Sequence, residues 1–246
     1  MAPSARQGSI GLVAALALVA TGCEVTTTQE KDDRLTVKAE RTLVRPKQIE
    51  VDQSAPDVEI GRTSIVRGDR SAAIAVELEN RGDGIVNDLP IAVGIKGAKG
   101  DGYVNLDGGI RYFQSHIPAL APGEKATWVF STKKDVPSGE PFAKVGAPAD
   151  PPLTVADDLP SIEATRTLAA SKDAATIQVD VRNASDIPQY DVEIYASAEH
   201  HGRVVAAGTA SIAELDGGMS DSVKVALVGD PGDAAVDVFV PPTIFK

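Results

Sequence analysis

The chain has 246 residues, 43% of them hydrophobic and 24% charged, which is globular composition rather than disordered or collagen-like. Its 24 basic and 35 acidic residues leave a net charge of −11, which argues against a nucleic-acid partner because phosphate binding needs a basic face. One cysteine excludes a disulfide framework and a multi-cysteine metal site, and 4% aromatic residues leave little material for stacking platforms.

In chain order, Arg6 supplies a positive charge and Ile10 to Ala20 form a short apolar run, followed by Thr21, Gly22 and Cys23. This is the plan of a secretory signal, and the run is too short to span a hydrocarbon layer of about 30 Å. Residues 1–22 are therefore read as a signal peptide. Ala20-Thr21-Gly22-Cys23 resembles a bacterial lipobox, with Ala20 where a leucine is usual. The resemblance implies a lipid-modified Cys23, acylated at its amine, that anchors the chain to a cell membrane on its extracytoplasmic face. Two or more acyl chains suffice for stable anchoring, at roughly 0.8 kcal/mol per buried methylene.

Residues 23–56 hold the lipidated cysteine and a polar tether with seven acidic and six basic residues after Cys23. A flexible leash is favoured over an accessory strand at Leu35–Val37 or Thr42–Val44. As a coil its reach is roughly 30 Å. From residue 57 the pattern becomes one of short strands. Ile74, Val76 and Leu78 alternate with polar residues up to Asn80, and Arg81–Gly84 reads as a turn. Leu89, Ile91, Val93 and Ile95 alternate next. After Ala121-Pro122-Gly123-Glu124, the run Thr127–Phe130 begins another strand, with Trp128 and Phe130 as core residues.

The same plan recurs. Val76–Asn80 matches Val179–Asn183 at an offset of 103, and Ile117–Leu120 with Gly123 matches Ile212–Leu215 with Gly218 at an offset of 95. The expected fold is all-β: two immunoglobulin-like β-sandwiches at 57–147 and 161–246, joined by a Pro-rich acidic linker at 148–160. The strand–Asn–turn–strand opening and Leu120-Ala-Pro-Gly-Glu124 resemble CARDB-type modules, while Val179–Asn183, Asp191–Tyr195 and Gly202–Val205 resemble the FxLYD-like group. These resemblances imply a fold and leave function open, since such sandwiches carry many activities.

For chemistry, no Gly-x-Ser-x-Gly nucleophile motif or Gly-rich phosphate loop is present, so no catalytic residue and no cofactor are expected. No metal site is expected either. Asp101, Asn105 and Asp107 have the alternation of a calcium loop, but the first and twelfth positions would be Tyr103 and Gln114, so a polar turn is the better reading. Adjacent His200 and His201 with Gly202 read as a hairpin tip whose two rings diverge. His200, His201 and Arg203, together with the loop 96–105, are the positions expected to meet a partner.

The functional expectation is a non-catalytic binding, adhesion or scaffolding lipoprotein with an unidentified protein or cell-envelope partner and no nucleic acid. The alternative is an accessory subunit of an envelope enzyme or transporter. Residues 148–246 hold ten of the twelve net negative charges of the chain from Cys23 onward, which sets an acidic distal part against a nearly neutral proximal one. Anionic lipid headgroups would repel that distal part within about 8–10 Å.

Overall fold

In the computed structural model, which describes residues 51, 55–97, 102–106, 111–148, 159–168 and 175–243, the alternating segments form strands and the all-β class holds. The first half contributes β1 (Val58–Arg67), β2 (Ala72–Asn80), β3 (Val86–Lys96), β4 (Gly102–Tyr103), β5 (His116–Leu120), β6 (Lys125–Thr132) and β7 (Glu140–Val145). The second contributes β8 (Ile162–Leu168), β9 (Thr176–Asn183), β10 (Gln189–His200), β11 (Arg203–Leu215), β12 (Ser220–Ala226), β13 (Val228–Gly229) and β14 (Ala235–Phe239). A single 3-10 turn, Tyr112–Gln114, is the helical element among the described residues. No helix there is long and apolar enough to cross a membrane. Cys23 and the lipobox residues Ala20, Thr21 and Gly22 lie outside the described residues, as does most of the 148–160 linker.

All strand pairing among the described residues is antiparallel. In the first half a β1-β2-β6 sheet faces a sheet in which β3 pairs with β4, β5 and β7. Ile74, Val76 and Leu78 meet Leu89, Ile91, Val93, Ile117 and Trp128 in one core. In the second half, β12-β9-β8 faces β13-β11-β10-β14. Ile177, Val179 and Val181 meet Val192, Ile194, Ile212 and Val236 in another. Period-2 alternation makes each core, because successive strand residues point to opposite faces.

The repeated asparagines explain why the two halves share a plan. Asn80 is fully buried, and its Nδ2 donates to the carbonyls of Gly84 (2.9 Å) and Leu120 (3.1 Å), while its Oδ1 accepts from the Gly82 N–H (3.0 Å). Asn183 is equally buried and repeats the pattern on Ile187 (2.8 Å), Leu215 (3.1 Å) and Ser185 (3.1 Å). One side chain thus ties the end of a strand to its own turn and to a distant strand. It satisfies backbone groups that burial would otherwise leave unpaired. The turns facing these asparagines carry Gly123 and Gly218 at φ 71° and 73°, where a side chain would be strained. Even the exceptions match: Asp88 and Asp191 both sit at positive φ, 51° and 48°.

Burial departs from simple alternation where the halves meet. Ala72 to Val76 of β2 and Val192 to Ala198 of β10 are buried on both faces, so neither strand is half-exposed there. The reason is that β10 and β11 lie against β1, β2 and β6, and Tyr195 and Ala207 of the second half belong to the core of the first. Tyr195 donates its hydroxyl to the Phe113 carbonyl (3.3 Å), and the Ser131 and Thr209 hydroxyls lie 2.8 Å apart. A Cβ at Gly229 would come within 2.6 Å of Val66, so glycine permits the close approach of β13 to β1. Val51 and Ala55, placed in the tether by composition, are buried as well; Val51 packs with Ala92, Tyr103 and Leu106.

Candidate functional site

A groove of about 490 Å³ opens between the β1-β2-β6 sheet of the first half and strands β10 and β14 of the second. That volume is within the usual range for ligand sites, about 300–1,000 Å³. The groove forms because the outward face of β2 changes character along its length. Ala73 and Ala75 pack closely against the second half, whereas Glu77 and Glu79, next on the same face, are only half-buried. On β6, Thr127 and Lys125 stand opposite Glu77 and Glu79 in register, so the cross-strand rows line one wall. Ser197 on β10 pairs in register with Asp237 on β14, and Phe239 lies further along β14; these three form the facing wall.

Local irregularity shapes the rim. β1 carries a bulge between Ile60 and Thr63, and a Cβ on Gly61 would lie only 3.2 Å from the Glu77 Cβ. Bulges re-aim side chains, and this one lets the Arg62 side chain pair with Glu77 and, at 3.3 Å, with Glu199 at the base of the β10–β11 hairpin. Glu59 pairs with Arg81 (2.5 Å), and Glu79 approaches Arg81 (3.5 Å) and Lys125 (3.6 Å). Two carboxylates stand apart from these pairs. Asp237 is exposed and makes no ion pair among the described residues, and Glu124 accepts the Ala121 N–H (2.7 Å) in its own turn. Burial pushes the Glu124 carboxyl above its ordinary range, and the Ala121 hydrogen bond offsets part of that. Ser197 is only 7% exposed, and its hydroxyl makes no hydrogen bond among the described residues.

The residues expected to meet a partner sit beside this groove without lining it. His200 pairs with Arg203 across a two-residue turn, with His201 and Gly202 at φ 49° and 73°, the geometry of a type I′ hairpin. His200, His201 and Arg203 are all exposed. The expectation that the two rings diverge is corrected: they meet edge to face, 4.1 Å between centroids. The left-handed backbone at His201 turns its side chain back instead of continuing the strand alternation. Of the other expected loop, residues 98–101 lie outside the described residues, as does Asp107. Asn105 is fully buried. Its Oδ1 accepts the Val93 N–H (2.8 Å), and its Nδ2 donates to the Ile91 and Gln114 carbonyls (both 3.0 Å). Those bonds commit Asn105 to holding the loop on β3.

A second polar centre joins the halves. Glu193 of β10 is buried and receives a forked contact from Arg111, whose two terminal nitrogens lie 2.9 and 3.0 Å from its carboxylate oxygens. Arg111 also donates to the Ser211 hydroxyl. Burial raises the Glu193 carboxyl to about 7 against the opposing pull of Arg111, with Asp191 adding to the rise. Nearby, Ser115 Oγ lies 3.2 Å from His116 Nδ1, but Ser115 is fully buried and its hydroxyl donates to the Tyr112 carbonyl (3.0 Å). It offers no hydroxyl to a groove.

None of the groove residues is singled out by the sequence as a candidate site residue. The available signal was Glu77 and Glu79 at alternate positions of a strand otherwise apolar on both faces, which marks where the packed face ends. Among the described residues no three His, Cys, Asp or Glu side chains converge as a metal site would require. No family model matches the chain, and a search of the curated proteins found no match.

Proposed function

We propose that this chain is a bacterial lipoprotein, anchored through lipid on Cys23 at the extracytoplasmic face of a membrane, with a non-catalytic binding or scaffolding role. In this reading its halves are two Ig-like units, of the kind resembling CARDB and FxLYD modules, and the matched Asn80 and Asn183 corners support descent from one plan. The observation that carries the binding role is the groove, whose walls come from both halves, so the ligand would meet a surface that neither half offers alone. Sites between packed units are a common place for ligands. The exposed hairpin at His200–Arg203 extends the same face through Arg62 and Glu199.

The alternative of an accessory subunit draws on Ile187 and Met219, 57% and 58% exposed beside the Asn183 corner, where the first half has Gly84 and Glu124. Recovery of a stoichiometric complex from detergent-solubilised membranes favours that role. The anchor is tested by growing producing cells with an alkyne fatty acid. Label is expected on the wild-type protein and is expected to vanish in Cys23→Ser; equal labelling of both would sink the lipoprotein reading.

A further inference from the structure

Resting on the binding role proposed above, the groove's chemistry narrows its ligand. We propose that it takes a primary ammonium group on an aliphatic stem, as carried by a lysine side chain or a free polyamine. Five carboxylates line it, Glu59, Glu77, Glu79, Glu124 and Asp237, against a single lining cation, Lys125. Acidity alone would not mark a site, because three of those carboxylates are in ion pairs with Arg62, Arg81 or Lys125.

The independent observation is Ser197. Ser197 lines the wall and is 7% exposed, and its hydroxyl makes no hydrogen bond among the described residues. The hydroxyl still meets solvent at the groove, so a ligand that supplies a donor takes the place of water there. Its cross-strand neighbour is Asp237, a carboxylate that makes no ion pair among the described residues. Phe239 adds an apolar surface against which a methylene stem can lie. An ammonium carries three donors and no acceptor, which matches a hydroxyl oxygen and a carboxylate on one wall facing Glu77 and Glu79 on the other. An anion would meet Asp237, which has no paired cation, on the same wall as Ser197.

The test is calorimetric titration of the full mature protein in detergent with two probes, spermidine and a trilysine peptide blocked at both ends. Saturable binding is expected to weaken about tenfold with Asp237→Asn and severalfold with Ser197→Ala, and to weaken as salt is raised. Glu163→Gln, in an exposed ion pair with Arg182 on another sheet, is expected to leave affinity unchanged. Ser197→Ala has a second signature: it should leave the unfolding temperature of the free protein unchanged while it weakens binding, which a merely structural residue would not do. Binding of trilysine alone assigns the ammonium to a polypeptide lysine, and binding of spermidine as well admits the free polyamine. Absence of heat with both probes, or affinities indifferent to Asp237→Asn and Ser197→Ala, overturns the assignment. Fatty-acid labelling at Cys23 reads the anchor separately, so the two readings fail independently.

Discussion

Replacing Asn80 or Asn183 with alanine is expected to lower stability by about 3 kcal/mol. Each side chain serves two carbonyls and one N–H inside the protein, and neither asparagine has any exposed surface. Alanine would remove the partner and leave those backbone groups buried. An unsatisfied buried group costs about 1–3 kcal/mol, and partial relaxation keeps the total below the simple sum. For a protein of this size such a loss moves the midpoint of thermal unfolding down by about 10 °C. Asn→Asp is the sharper variant, because a carboxylate cannot donate to Gly84 and Leu120. Denaturant titration of the two alanine variants measures the effect. Losses of similar size would show that the two corners are equivalent, and a loss under 1 kcal/mol at either would mean that its bonds are not what holds the turn.

The largest pH effect is expected from Glu193. Its folded-state carboxyl titrates near 7 against an ordinary 4.5, because burial disfavours the charged form more than Arg111 favours it. The folded state therefore holds the proton more tightly than the unfolded state. Stability from this group is fully present below pH 4.5, is lost progressively as pH rises to about 7, and is flat above that. Across that window the loss is about 3 kcal/mol, at about 1.4 kcal/mol per pH unit. Glu193→Gln keeps the shape and removes the titration, so the difference in stability between wild type and variant should change by that amount from pH 4.5 to 8. Arg111→Gln should move the window upward, because the opposing pull is gone. Parallel stability curves for wild type and Glu193→Gln would contradict this account. This pair joins the same two halves that form the groove.

The strands were legible where one face meets a core. Ile74, Val76 and Leu78 announced β2, and Leu89 to Ile95 announced β3, because alternation is a local property of the chain. The matched offsets of 103 and 95 pointed to a repeated plan, and the asparagine corners give it a physical cause. Trp128 and Phe130 were read as core and are buried. What stayed hidden was the contact between the halves. Arg111 and Glu193 are 82 residues apart, and nothing local distinguishes a buried, paired glutamate from a solvated one. The groove was hidden for the same reason: Glu77, Ser197 and Asp237 come from three strands that only the packed halves bring together. A trace was present in Ala72-Ala73-Ile74-Ala75-Val76, a run apolar at every position, which is how a strand covered on both faces is written. The hairpin at His200–Arg203 was legible because a turn is specified by consecutive residues.

The claim on which the groove depends is that the two halves form one body. Spin labels at Lys134 in the first half and Asp216 in the second, both exposed, report this directly through a dipolar distance measurement on the full chain. The buried contacts of Tyr195, Ala207 and Glu193 with the first half predict one narrow distance distribution. A broad distribution, as two sandwiches swinging on the 148–160 linker would give, would contradict the account and remove the groove with it.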